Sequence, residues 1–288
     1  MRTRRIDFIV ITASLFITFI ALACTSRGKS QTIAPTAPQQ NSTNETAPVN
    51  SMPVVHVFVA LADNEHQGIV PVSKSLGDGD NTKTNLYWGA AFGVKTFFAK
   101  SRDWELLSSV VNPTSVVLER CTFKHRRQNL YVIADAYRGR EIAQATWDFL
   151  AAAAGQPGYA LEVKQEGRTV AIHSGGSAEV LAYMGHDGLM DFKLPPSPKA
   201  RDQRPRQAII LACASKQYFS RVLEATGAKP LLWTTNLMAP ESYILSAALD
   251  GWIKHESDEQ IRLRAAVAYN QYQKCGLKAA SNLFATGW

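Results

Sequence analysis

Two stretches, "VLAYMGHDGLMDF" at residues 180–192 and "QAIILACASKQYF" at residues 207–219, decide how the rest of the chain is read. Each begins as a continuous apolar run and stops at a reactive side chain, His186 in the first and Cys213 in the second. A run without polar alternation suits a strand buried on both faces, as in a parallel sheet covered by helices. Consecutive strands are neighbours about two-thirds of the time, and neighbouring strands lie ~5 Å apart. Side chains just past the two strand ends can therefore meet, in the zone where open α/β sheets gather their functional groups.

Working outward, "PVVHVFVALAD" (53–63), "NLYVIADAYRG" (129–139) and "KPLLWTTN" (229–236) read as further buried strands, with a shorter one around 116–119. The spacing of aromatics predicts a helix over 84–101, weakened by two glycines. Helices are also expected at 140–155, closed by Gly155, at 217–228, at 240–255, and at 257–275, which opens on a Ser–Asp–Glu cap. "YALEVKQEGRTVAIHS" (159–174) alternates around a Gly turn and reads as a β-hairpin. Alternating strands and helices predict an α/β three-layer sandwich with a mostly parallel central sheet. The hairpin is an insertion, and residues 53–288 form one domain. "LPPSPKARDQRPR" (194–206) is polar and Pro-rich, hence an exposed connection.

The N-terminus is of a different kind. "MRTRRID" is basic, through Arg2, Arg4 and Arg5, and is followed by an apolar run over 8–23 that ends in "ALAC". This is similar to a bacterial lipoprotein signal, in which Cys24 carries lipid after cleavage; Ala21 stands where such signals usually have Leu. The other reading is an uncleaved anchor. Both export the body of the protein, to the cell envelope. Residues 25–52 hold few large apolar side chains and read as a disordered tether.

The formal net charge is +7, part of it supplied by the leader. No cluster of Lys and Arg interleaved with aromatics follows, so nucleic acid is not an expected partner; "KHRRQ" (124–128) is too short to change that. The partners expected are a protein or peptide and the membrane. Past Cys24 the cysteines are Cys121, Cys213 and Cys275. Their spacing fits neither a zinc site nor a disulfide scaffold, and no metal or cofactor is expected. An odd number leaves one thiol free, and a Cys121–Cys275 bridge would leave Cys213.

The order apolar run–Gly–His–x–Gly, then apolar run–Ala–Cys–x–Ser, resembles the caspase/gingipain/legumain superfamily of cysteine peptidases. The resemblance covers roughly residues 180–272, and more loosely the sheet from 54 onward. It implies a caspase-like (flavodoxin-like) sandwich. It also implies Cys213 as nucleophile, His186 as proton donor to the leaving amine, and an oxyanion hole from the backbone N–H groups of Gly188 and Cys213. Asp187 interrupts the usual His-Gly pair and puts that hole in question. The residues after the first strand often shape the substrate pocket in this superfamily. Asp63 and Glu65 stand there and would favour a basic substrate residue. His66 shares their loop, and Asp135 or Arg138 could line the cleft from another strand end.

Each motif also has a plainer reading. A cysteine at a strand end is often a small buried hydrophobe, and Gly-His-Asp-Gly is often only a turn. The adjacent His186 and Asp187 could suggest a metal phosphohydrolase, but those ligands sit on helices, whereas His186 follows a strand. The leading expectation is an exported cysteine endopeptidase. The alternative is a catalytically inactive, peptide-binding lipoprotein of the same fold.

Overall fold

The computed structural model describes residues 46–165 and 167–288. The leader, Cys24 and most of the expected tether lie outside the described residues. Strand β1 (Val54–Ala60) is followed by a long loop, helix α1 (Val94–Lys100), an antiparallel pair β2 (Trp104–Val111) and β3 (Val117–His125), and β4 (Tyr131–Tyr137). Helix α2 (Ile142–Ala153) leads to the hairpin β5 (Pro157–Gln165) and β6 (Arg168–Gly175). Then come β7 (Val180–Met184), β8 (Gln207–Leu211), α3 (Ser215–Glu224), β9 (Lys229–Thr234), α4 (Ser242–Ile253), α5 (Asp258–Gln273), α6 (Leu277–Leu283) and the short β10 (Phe284–Ala285).

The main sheet runs β10-β9-β8-β7-β1-β4-β3-β2, and β5 with β6 forms a separate pair. β4, β1, β7, β8 and β9 are mutually parallel. Taken in chain order those five stand second-first-third-fourth-fifth, a doubly wound arrangement with its switch point between β1 and β7. Every residue of β1, β4 and β7 is buried. This is why these strands read as unbroken apolar runs: Val55, Val57 and Val59 pack toward α1, α4 and α5, while Val54, Phe58 and Ala60 pack toward α2 and α3.

Several expectations are corrected. The segment 84–93 forms turns, and helix α1 begins only at Val94. Asn85 clamps this loop to the end of β1, accepting from Ala62 N–H and donating to Ala62 O. A Cβ on Gly89 would lie 2.2 Å from the Lys83 carbonyl oxygen, so the chain folds back too tightly there for a helix. The short strand expected near 116–119 is one arm of the β2–β3 hairpin. Residues 46–52 belong to the folded body rather than to the tether. Asn50 is buried and donates to the carbonyls of His173 and Ser177, and Arg204 donates to those of Ala47 and Pro48. Cys121 is buried and Cys275 exposed, both unbridged, so the Cys121–Cys275 pairing that a bridge would have used is not formed.

Asp135 is corrected as well. It lies within β4, on the face covered by α2 and the hairpin, away from the cleft in which a pocket residue was expected. Arg120 grips its carboxylate with Nε at 2.6 Å and Nη2 at 3.1 Å, and the Tyr159 hydroxyl donates at 2.9 Å. Gly175 N–H donates to His56 Nδ1, so His56 presents Nε2–H to Asp135 at 3.1 Å. Burial opposes the Asp135 charge, but His56 and Arg120 outweigh it and hold the carboxyl below its usual range. The network ties β1, β3, β4 and the hairpin together. Asp135→Ala strands a largely buried guanidinium and is expected to cost about 3–5 kcal/mol in urea unfolding; a loss below about 1 kcal/mol would show that the network is incidental.

Candidate active site

β7 and β8 pair in parallel with Met184 opposite Leu211, so the two strands end at the same level. Gly185 has φ +147, and a Cβ there would sit 2.8 Å from the Ala60 carbonyl oxygen. A glycine is thus required for the chain to leave β7 against β1. The His186 carbonyl accepts from the Tyr183 hydroxyl at 2.9 Å and from Gly188 N–H at 3.1 Å. Its imidazole is nearly buried, with Nε2 2.5 Å from Asp191 Oδ2.

Cys213 follows β8 by two residues. Its neighbour Ala214 holds the left-handed conformation, φ 47 and ψ 32, at the N-cap of α3. For a residue with a Cβ this is strained backbone, of the kind that clusters at functional sites. The strain is held in place from several sides. Ala214 N–H donates to Asn236 O. Ser215 Oγ donates to Ile210 O at 2.9 Å and accepts from Thr234 N–H at 3.0 Å. The half-buried thiol lies 3.6 Å from Met238 O and 3.4 Å from Met238 N. Among the described residues Cys213 N–H makes no hydrogen bond, and none joins Cys213 to His186.

The electrostatics of this strand end are set by burial. Burial pushes the Cys213 thiol up, and the nearby Asp187 pushes the same way, while Met238 partly offsets them. Asp187 is itself fully buried. Its Oδ1 accepts from Leu189 N–H at 3.0 Å, and its Oδ2 has no partner. Burial drives this carboxyl up to about 7, with Asp191 adding to the effect. A protonated Asp187 is therefore the form the fold tolerates.

The other expected site residues fall as follows. Gly188 N–H is already spent on the His186 carbonyl in this conformation, so it is not a free oxyanion donor. The Asp63 carboxylate accepts from the N–H groups of Glu65 and His66 and from the His66 ring, and serves its own turn. Glu65 is exposed in that turn. Arg138 donates to Ser115 O and pairs with Asp80 at the surface. Sequence reasoning missed Asp191, Met238 and the strained Ala214. Of these only Asp191 left a trace, as a carboxylate five residues after His186. Among the described residues no group of three or more His, Cys, Asp or Glu side chains is arranged to hold a metal ion. Comparison with family models, with curated proteins and with solved structures finds no match.

Asp187→Asn tests the electrostatics. A carboxyl raised by folding favours the folded state at low pH, and that advantage disappears as pH climbs from about 4 through about 7. The variant should therefore gain stability over wild type on going from pH 5 to pH 8, by at most ~3 kcal/mol. At pH 8 its Cys213 should also react with iodoacetamide several-fold faster. An unchanged rate and a pH-independent stability difference would place the Asp187 charge elsewhere.

Proposed function

We propose that this chain is a cysteine endopeptidase of caspase-like architecture, with Cys213 as nucleophile and His186 as proton donor. The observation that carries the reading is the strained Ala214 turn, which presents Cys213 at the end of β8 beside the end of β7, from which His186 springs. A sulfur and an imidazole in the loops beyond adjacent parallel strands are the groups acyl transfer needs. In the reaction the sulfur attacks the peptide carbonyl carbon and the C–N bond breaks. The thiol proton passes by way of His186 to the leaving amine, and water then releases the acyl group from the thioester. Cys213 N–H is available to the developing oxyanion. Gly188 N–H would join it only by releasing the His186 carbonyl.

The test is a profile of cleaved peptides from a proteome-derived library. Wild type should cut; Cys213→Ala should abolish cutting, and His186→Ala should lower it by about 10²-fold or more. Cleavage that survives Cys213→Ala would end the proposal.

A second reading, a peptide-binding protein of the same fold without catalysis, is favoured by one specific finding: burial keeps the thiol protonated, and Asp187 adds to this once it ionises. In that case the library remains uncut, and peptide affinity is unaffected by Cys213→Ala.

Both readings carry the body outside a bacterial cytoplasm on a lipid at Cys24. The supporting features are the basic start, the apolar run and the "ALAC" ending. Among the described residues no helix is long and apolar enough to cross a membrane. Radiolabelled palmitate should enter the wild-type chain and be absent from Cys24→Ser; equal labelling of both would remove the lipid anchor.

A further inference from the structure

We infer that Asp191 is a positioning residue, which holds the His186 ring by Nε2 so that Nδ1 is the nitrogen left for proton transfer. This rests on the peptidase reading of the same site. His186 Nε2 lies 2.5 Å from Asp191 Oδ2, and among the described residues Nδ1 has no hydrogen-bond partner. A carboxylate accepts and does not donate, so the neutral ring must carry its proton on Nε2. The side chain of His186 is only 9% exposed while that of Asp191 is 46% exposed, so the ring is held inside and the charge of its partner stays hydrated.

The loop that carries both residues is built to keep this geometry. Gly188–Met190 is a single 3-10 turn capped by Asp187, whose Oδ1 accepts from Leu189 N–H. Asp191 and Phe192 both donate their N–H groups to Gly188 O at 2.9 Å. The Phe192 ring closes over Gly188, where a Cβ would sit 2.4 Å from it. From the other side the loop after β1 presses in: a Cβ on Gly68 would lie 2.8 Å from each Asp191 carboxylate oxygen. Only a residue without a side chain lets this loop pass so close, so Gly68 and the 3-10 turn together confine the carboxylate against His186. A base oriented by a third group is the general logic of an activated nucleophile.

The proposal separates the two carboxyls of the loop. Asp187 lies buried with an unpartnered oxygen, and its charge raises the Cys213 thiol, whereas Asp191 is hydrated and bonded to the imidazole. Asp191 is thus the carboxylate that acts on the ring.

The experiment reads the ring directly. Long-range 1H–15N spectra of the His186 imidazole are recorded on the full chain carrying Cys213→Ala, with and without Asp191→Ala, under conditions where the ring is neutral. A single Nε2-protonated form is expected with Asp191 present, and a mixture of the two tautomers without it. In parallel, Asp191→Ala in the otherwise wild-type chain should lower kcat about 10–100-fold with little change in KM. Asp191→Glu should restore part of the loss. Gly68→Ala, which keeps the carboxylate but pushes it aside, should reproduce part of both effects. An Nε2-protonated ring that persists in Asp191→Ala overturns the inference whatever the activity. A tautomer change in a wild-type chain that cuts no peptide supports the role of Asp191 in holding the ring and overturns the peptidase reading alone.

Discussion

The parallel pairing of β7 with β8 is the constraint on which the rest of the site depends. With Met184 opposite Leu211, the two chains leave the sheet at the same height, one into the His186 loop and the other into the Cys213 turn. Side chains in neighbouring strands alternate with a strict period of two, so a one-residue slip would exchange core and surface faces along a whole strand. Here such a slip is blocked on both sides of the sheet. Val180, Ala182 and Met184 belong to one core and Leu181 and Tyr183 to the other, and all five are buried. The positions of two polar groups outside the sheet are thus decided by apolar packing inside it.

The fold treats its buried carboxylates in two opposite ways. Asp135 receives a bidentate guanidinium, a tyrosine hydroxyl and an imidazole N–H, which together outweigh the cost of desolvation. Asp187 receives one backbone N–H and is left with a bare oxygen. The first arrangement joins β1, β3, β4 and the hairpin. The second keeps a costly group at the strand end that carries His186, and an unsatisfied buried oxygen in a native fold asks for a reason. Among the described residues the Asp187 charge raises the pKa of Tyr183 and of Cys213.

What was legible in the sequence follows from how local each cause is. β7 and β8 could be read because burial on both faces writes itself as an unbroken apolar run. Helix α5 could be read because Ser257 and Gln260 form a reciprocal capping box within four residues. The β2–β3 hairpin was half missed because seven of the eight residues of β2 are exposed, so burial leaves no alternation to detect. The segment 84–93 reads as helix because Trp88 and Phe92 sit at helical spacing, while the force that shapes it comes from Asn85 binding Ala62, 23 residues away. Asp135 was misplaced for the same reason. Its partners Arg120, Tyr159 and His56 stand 15, 24 and 79 residues distant in the chain. The pairing of His186 with Asp191 spans only five residues, but it depends on the 3-10 turn at Gly188–Met190, which the sequence does not announce.

These features constrain the chemistry open to the site. A thiolate formed ahead of substrate needs a positive neighbour, and among the described residues none is seen to lower the Cys213 thiol: the imidazole is bonded to Asp191, and Asp187 opposes negative charge on sulfur. If the chain cuts peptides, the proton must therefore leave sulfur during attack rather than before it, as the substrate carbonyl takes over the developing charge. In such a mechanism the imidazole is of most use as a relay that ends at the leaving amine, and a ring fixed by Nε2 with Nδ1 free is suited to that task. A buried acid that stays protonated up to about pH 7 is then compatible with catalysis, because a neutral Asp187 places no charge beside the attacking sulfur. Such an activity would fall as Asp187 ionises above about pH 7.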